Sequence, residues 1–287
     1  MAEQQSRPEV IASVQESGFG VVEKPLTLAE KLYGNGALRK AAVLLLLALA
    51  WEIGARKIHN ELLFPTFSST VLAFWEGLRS GVLFQRTGYS LKVLLQGYAV
   101  GLTLAALLTA LATATRIGTD LLETLTSMFN PLPSIALLPL ALLWFGLGNA
   151  SLIFVLVHAV LWSVALNTHA GFRSVSQTLR MVGRNYGLGG FRYVSKILIP
   201  AALPSILTGL KIGWAFAWRT LIAAELVFGV SAGSGGLGWY VFENKNQLET
   251  ANVFAGLFTV ILIGLAIENL IFRTLERATV RKWGMEH

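Results

Sequence analysis

The chain has 287 residues, of which 54% are hydrophobic and only 14% charged, against about 25% charged in a soluble globular domain. That deficit excludes an ordinary soluble enzyme, and apolar runs that recur from Ala41 to Ile271 make the bilayer the solvent for most of the chain. With no cysteine and a net charge of +7, disulfides and thiolate chemistry are excluded, and Lys and Arg that flank apolar runs fit membrane orientation better than nucleic-acid binding.

Residues 1–36 are polar, mixed in charge and contain Pro8 and Pro25, so they read as a soluble cytoplasmic tail. The first apolar run starts only at Ala41, behind Arg39 and Lys40, and is therefore expected to be an uncleaved span. Residues 37–287 read as an all-α, polytopic membrane domain with six spans, approximately 37–55, 90–114, 131–147, 151–167, 201–228 and 251–271, each near the roughly 20 apolar residues a bilayer requires. Between the first two, Val71, Leu72, Phe74, Trp75, Leu78 and Val82 follow helical spacing, which predicts a short helix on the membrane surface or against the bundle.

Positive loops stay on the cytoplasmic side. With the N-terminus inside, the inner segments hold fifteen Lys and Arg, whereas the outer segments hold five: Arg56, Lys57, Arg79, Arg86 and Lys245. Both termini are therefore expected in the cytoplasm. Residues 169–199 then form an inner polar stretch, read as two short helices separated by Gly187-Leu188-Gly189-Gly190, with Pro200 and Pro204 opening the fifth span. From composition alone this stretch could be a plain connector or a docking site for something cytoplasmic.

Gly187, Ile197 and Pro200 stand at the spacing of the coupling-loop motif E-A-A-x3-G-x9-I-x-L-P, and in this they resemble bacterial ABC importer permeases. The run from Pro131 to Gly148, with Pro133 and Pro139, is similar to the third-span signature of the nitrate/sulfonate/taurine/bicarbonate branch. So, in order and spacing, are residues 198–213, 217–226 and 235–238. The resemblance covers roughly residues 38 to 282 and departs at Met181-Val182-Gly183, where the motif has Glu-Ala-Ala, and at Ile199, where it has Leu.

The resemblance implies a type I ABC importer permease fold in the bacterial inner membrane, acting by alternating access and importing a small anionic solute. It also implies partners: a second copy of the permease in a homodimer, two ATP-binding subunits docked on coupling helices at about 170–199, and an extracytoplasmic substrate-binding protein. Met181, Val182, Gly183, Gly187, Ile197 and Pro200 are the implied ATPase-coupling residues. No cofactor is implied for this chain, since ATP and Mg would be bound by the partner ATPase, and no catalytic or metal site is expected here.

An ionisable group inside a span is costly and marks a pathway or a paired structural site. The fifth span has three, and at 1.5 Å per residue from Pro200 they lie about 16 Å (Lys211), about 28 Å (Arg219) and about 37 Å (Glu225) along it. All three fall within an arc of about 120°. Two readings follow: Lys211 and Arg219 line an anion path, or Lys211 reaches the inner surface while Arg219 pairs with Glu225 or a neighbouring helix. Glu225 is expected at the outer interface. Pro133 and Pro139 are further pathway candidates, because their missing donors free carbonyls and permit a kink.

Gly97, Gly101, Ala105, Thr109 and Thr113 recur every four residues in the second span and are expected to pack closely against another helix. Gly229-Val-Ser231-Ala-Gly233 fits a nucleophile elbow, and Gly233, Gly235 and Gly238 fit G-x-G-x-x-G, but both patterns need a preceding strand where a membrane helix stands. There is no P-loop sequence. His158 and His169, about 16 Å apart on one helix, read as core or interface histidines. A stand-alone secondary transporter or channel for anions is the alternative reading, and it would often show an inverted repeat.

Overall fold

The computed structural model describes residues 34–228, 235–282 and 284. Most of the expected tail, 1–33, and the positions Gly229, Ser231 and Gly233 lie outside the described residues. The chain divides into two compact units, residues 1–50 and 51–287.

In the first unit the described residues open helix α1 (Gly36–Ile58). Val43, Leu44, Leu45, Leu46 and Leu47 are all exposed, as on a helix whose apolar circumference faces lipid.

In the second unit all the secondary structure among the described residues is helical. Helix α2 (Phe67–Arg79) begins at Thr66, whose side chain accepts a hydrogen bond from the Ser69 amide, the usual service of an N-cap threonine. It packs on the last helix, with Phe74 edge-on to Phe258 at 5.3 Å, so the amphipathic segment lies against the bundle. Next come α3 (Val82–Ala114) and α4 (Arg116–Phe129), a 3-10 turn (Ser134–Leu137), α5 (Leu138–Phe145) and α6 (Asn149–Ser174). Helices α7 (Gln177–Asn185), α8 (Gly190–Ala201, including a π turn), α9 (Leu203–Phe228), α10 (Leu237–Asn246) and α11 (Thr250–Arg281) complete the chain.

Among the described residues three helices, α3, α6 and α11, are long and apolar enough to cross a membrane, or up to five if each of two bent pairs is one span. Helix α1 has 23 residues, about 35 Å at 1.5 Å each, with its charges gathered toward the ends at Arg39, Lys40, Glu52, Arg56 and Lys57. The six expected spans thus fall on six helical segments, but the third is not the single helix expected over 131–147. Helix α4 and the Ser134–Phe145 segment meet at 88°. Pro133 precedes the 3-10 turn and Pro139 stands in the first turn of α5, where a missing N–H costs little. The prolines start helical segments here instead of kinking one.

Helix α6 is the centre of the unit, packed extensively along α3 and α9. The small-residue stripe of α3 makes this possible. A Cβ at Gly97 would lie 2.6 Å from Leu156 Cβ, and one at Gly101 would lie 2.8 Å from Val160 Cβ, so the two backbones approach to a distance only glycine allows. Leu94, Val155, Leu156, Val160, Ala217 and Leu221 are almost wholly buried around that seam.

Candidate functional site

Two features are candidates for a functional site, the turn between α7 and α8 and a cavity along the central helices. The turn joins α7 to α8. Helix α7 ends with Leu188 N–H donating to Gly183 O and Gly187 N–H to Arg184 O, the paired bonds of a Schellman motif. That motif needs its Gly187 in left-handed backbone, and φ there is +68°. Gly183 faces the returning strand of chain, where an added Cβ would stand 3.0 Å from Ile197 and 3.1 Å from Tyr193. Met181 and Val182 are exposed on α7, and Tyr186 and Phe191 on either side of the turn are more than four-fifths exposed.

This segment is tied firmly to the helix bundle. Leu198 of α8 joins Phe172, Val175 and Ala202 in a small core of its own. Arg180 donates to Val175 O and Phe172 O at 3.1 and 2.5 Å, satisfying carbonyls that the end of α6 leaves open. Pro200 stands at the start of the Ile199–Ala201 turn, and α9 leaves it at 77°. The α7–α8 segment is thus packed against the end of α6 and the start of α9.

The cavity, of about 370 Å³, lies where the 130–135 loop meets α6 and α9. Pro133 and Arg219 line it, whereas Lys211, Glu225 and Pro139 are not among its lining residues. Arg219 donates from Nε to Ala215 O at 3.0 Å and sits 5.1 Å from the Phe216 ring centre. No ion pair to it occurs among the described residues. Opposite, His158 Nδ1 and Ser134 Oγ are 3.1 Å apart, and Trp162, stacked on Phe129 at 5.4 Å, has its indole N–H buried with no partner among the described residues. Among the described residues no carboxyl group lines the cavity.

The three ionisable groups of α9 separate instead of sharing one polar face. Lys211 pairs with Glu268 at 2.5 Å and approaches Glu276 at 3.8 Å, both on α11. Glu225, expected at the outer interface, is only 3% exposed. Its carboxyl accepts from Ser90 Oγ and from the Gly238 amide, and Ser90 Oγ accepts from the Leu237 amide. The glycine-rich stretch before α10 serves this contact. A Cβ at Gly236 would lie 2.1 Å from Ser90 Oγ, and one at Gly238 2.6 Å from Glu225 Cβ. Neither glycine belongs to a dinucleotide fold.

Residues 97–283 match the family described as the binding-protein-dependent transport system inner membrane component. The chain belongs to that family. A Bacillus subtilis (strain 168) protein provisionally named as an aliphatic sulfonates transport permease is 30% identical over 256 residues, covering 88% of this chain and 89% of its own. The taurine transport system permease protein of Escherichia coli (strain K12) is 30% identical over 243 residues, 81% of this chain and 84% of its own. The nitrate import permease protein of Synechocystis is 28% identical over 251 residues, 84% of this chain and 88% of its own.

As a permease of this family, the protein is a membrane-embedded transport component. The match takes in both the α7–α8 turn and the cavity. Sequence spacing found Arg219 and Pro133 separately but missed Trp162, Ser134, Phe216 and Thr220 as their neighbours, and it read His158 only as a core or interface residue. Three chain segments bring these groups together, and no periodicity within one helix records that.

Proposed function

We propose that this permease is the membrane-spanning subunit of an ATP-driven importer that carries a small anionic solute into the cytoplasm. The solute classes considered are nitrate, bicarbonate, taurine or another sulfonate, and related organic acids. The observation that carries the reading is Arg219, an arginine on a membrane-spanning helix that lines a cavity with no carboxyl group opposing it among the described residues. An uncompensated cation in such a place is costly, and an anion in transit would offset that cost.

In this reading two ATP-binding subunits, which would hold ATP and Mg, dock on the α7–α8 segment through Met181, Val182, Gly183 and Gly187. Ile197 and Pro200 tie the segment to the spans. A second copy of the permease completes a homodimer, an extracytoplasmic binding protein delivers the solute, and both termini face the cytoplasm with residues 1–36 as a tail. Closure of the ATPases would move the turn as a rigid body and tilt α6 and α9 between outward- and inward-open arrangements. The inner positive charge of the loops supports the orientation, and the exposure of the turn supports docking.

The test is ATP-dependent accumulation in vesicles reconstituted with the ATP-binding subunit and the cognate binding protein. Arg219→Ala is expected to lower accumulation at least tenfold while the subunits still assemble. Accumulation equal to that of the unaltered protein would remove Arg219 from the path.

A further inference from the structure

Helix α11 ends in four cations, Arg273, Arg277, Arg281 and Lys282, all of them exposed. We infer that this end of α11 is a docking surface for the headgroups of anionic phospholipids, whose phosphates it holds at the edge of the bilayer. The inference concerns the membrane around the permease and goes beyond the importer reading without resting on it.

Depth is the first ground. From Thr250 to Leu270 the helix advances about 30 Å at 1.5 Å per residue, the thickness of a hydrocarbon core. Ile261, Leu265, Leu270 and Ile271 are exposed along it, as on a face turned to acyl chains. Arg273 and Arg277 follow about 5 and 11 Å beyond Leu270, at the polar headgroup layer, which is roughly 5–7 Å deep on each side. Their long stems let each guanidinium settle at the depth of the phosphates.

Counter-charge is the second. The nearest carboxyl groups in the sequence are Glu268 and Glu276, and both turn to Lys211 on α9, at 2.5 and 3.8 Å. Arg273 Nη1 instead reaches the side-chain oxygen of Asn269 at 3.4 Å, a neutral acceptor. Among the described residues no ion pair joins Arg273, Arg277 or Lys282 to a carboxylate. The acidic groups that could have neutralised this end are spent on holding α11 to α9, and the anion must come from outside the chain.

Arrangement is the third. Arg273, Arg277 and Arg281 recur at every fourth position, which sets them along one side of the helix. Guanidinium grips phosphate oxygens two at a time, and a row of such groups meets several headgroups lying side by side. Four Lys and Arg directly after a membrane-spanning helix form the pattern that anionic leaflets attract.

The test titrates the full chain, purified in mild detergent, with dioleoylphosphatidylglycerol or dioleoylphosphatidylcholine, and counts bound lipids by native mass spectrometry. Phosphatidylglycerol is expected to bind at least fivefold more tightly, and the preference should shrink as salt is raised, because exposed charges are screened. Arg273→Gln combined with Arg277→Gln is expected to lose at least threefold of the preference, whereas Arg273→Lys with Arg277→Lys should keep most of it. Lys57→Gln with Lys245→Gln removes as much exposed charge near the opposite end of α11, where Thr250 bonds Leu62 O, and should leave the preference nearly unaltered. Equal binding of the two lipids by the unaltered protein would overturn the inference, whether or not the variants fold. So would an equal loss in the Lys57 and Lys245 variant, which would mean diffuse attraction without a docking surface. Displacement of phosphatidylglycerol by an equal concentration of inorganic phosphate would assign the row to a free anion. Loss of a dimer in the Arg273 and Arg277 glutamine variant, with lipid preference intact, would give this face to a second copy of the chain, and either result would overturn the inference too.

Discussion

Ser90 and Glu225, 135 residues apart in the chain, meet inside the protein, with Ser90 Oγ 2.9 Å from each carboxyl oxygen. Both are buried, and the same pair receives the amides of Leu237 and Gly238 at the first turn of α10. Nearby, Arg86 reaches Gly235 O at 2.9 Å and Glu243 at 3.1 Å. Together these bonds fasten α3, α9 and α10 to one another, and Glu225 is not among the residues that line the cavity.

Glu225→Gln replaces an accepting oxygen by a donor that faces Ser90 Oγ or the Gly238 amide. Leaving a buried polar group unsatisfied costs about 1–3 kcal/mol. The expected outcome is a lower thermal midpoint in detergent and faster amide exchange at Leu237 and Gly238. The relative affinities of the cavity for different anions should stay unchanged. A changed anion preference would return Glu225 to the pathway.

Gly97→Leu places a side chain where even a Cβ would stand 2.6 Å from Leu156 Cβ. Backbone, not a flexible tip, would have to yield, and overpacking of this kind costs about 1–3 kcal/mol. Yield of folded protein and thermal midpoint should both fall. Gly88→Leu, at a position with open space around its Cα, provides the comparison and should leave both nearly unaltered.

Gly187→Val puts a β-branched residue at a φ of +68°, a conformation that side chains with a Cβ adopt at a cost of roughly 1–2 kcal/mol or more. The Schellman turn should open, and ATP hydrolysis by the docked subunit should lose its dependence on transport. Measuring hydrolysis and uptake in the same vesicles checks this. Coupling equal to that of the unaltered protein would mean that the turn does not transmit the stroke.

Lys211 and Glu268 form a close pair, yet each side chain is more than a third exposed, so solvent screening makes its value modest. Glu268 lies in a π turn of α11, and such turns recur at functional sites. Lys211→Glu and Glu268→Lys are each expected to slow uptake, and the double exchange to restore most of it. If Lys211 touches solute directly, the double exchange will not rescue transport.

The helices were legible because their signals are local. Apolar length marked α3, α6 and α11, and the four-residue recurrence of Gly97, Gly101 and Ala105 announced the close seam with α6. The break between α7 and α8 was legible too, since glycine recurs from Gly187 to Gly190 and Gly187 takes the left-handed backbone that ends α7. What stayed hidden was relational. Nothing in the apolar run 131–147 told that its chain turns through 88° from α4, because prolines fit helix starts as well as kinks. Helical angles placed Lys211, Arg219 and Glu225 on one arc, but their neighbours on α11, at the cavity and on α3 differ, and no angle within one helix records its neighbours.

The account is tested most directly by affinity purification of a tagged copy from its native membrane in mild detergent, with the ratio of co-purifying chains determined. An ATP-binding subunit recovered near one-to-one with the permease, and released by charge and bulk introduced at Met181 or Gly187, is the predicted result. Recovery of this chain alone, folded and transporting an anion without ATP, would contradict it and favour a stand-alone secondary transporter.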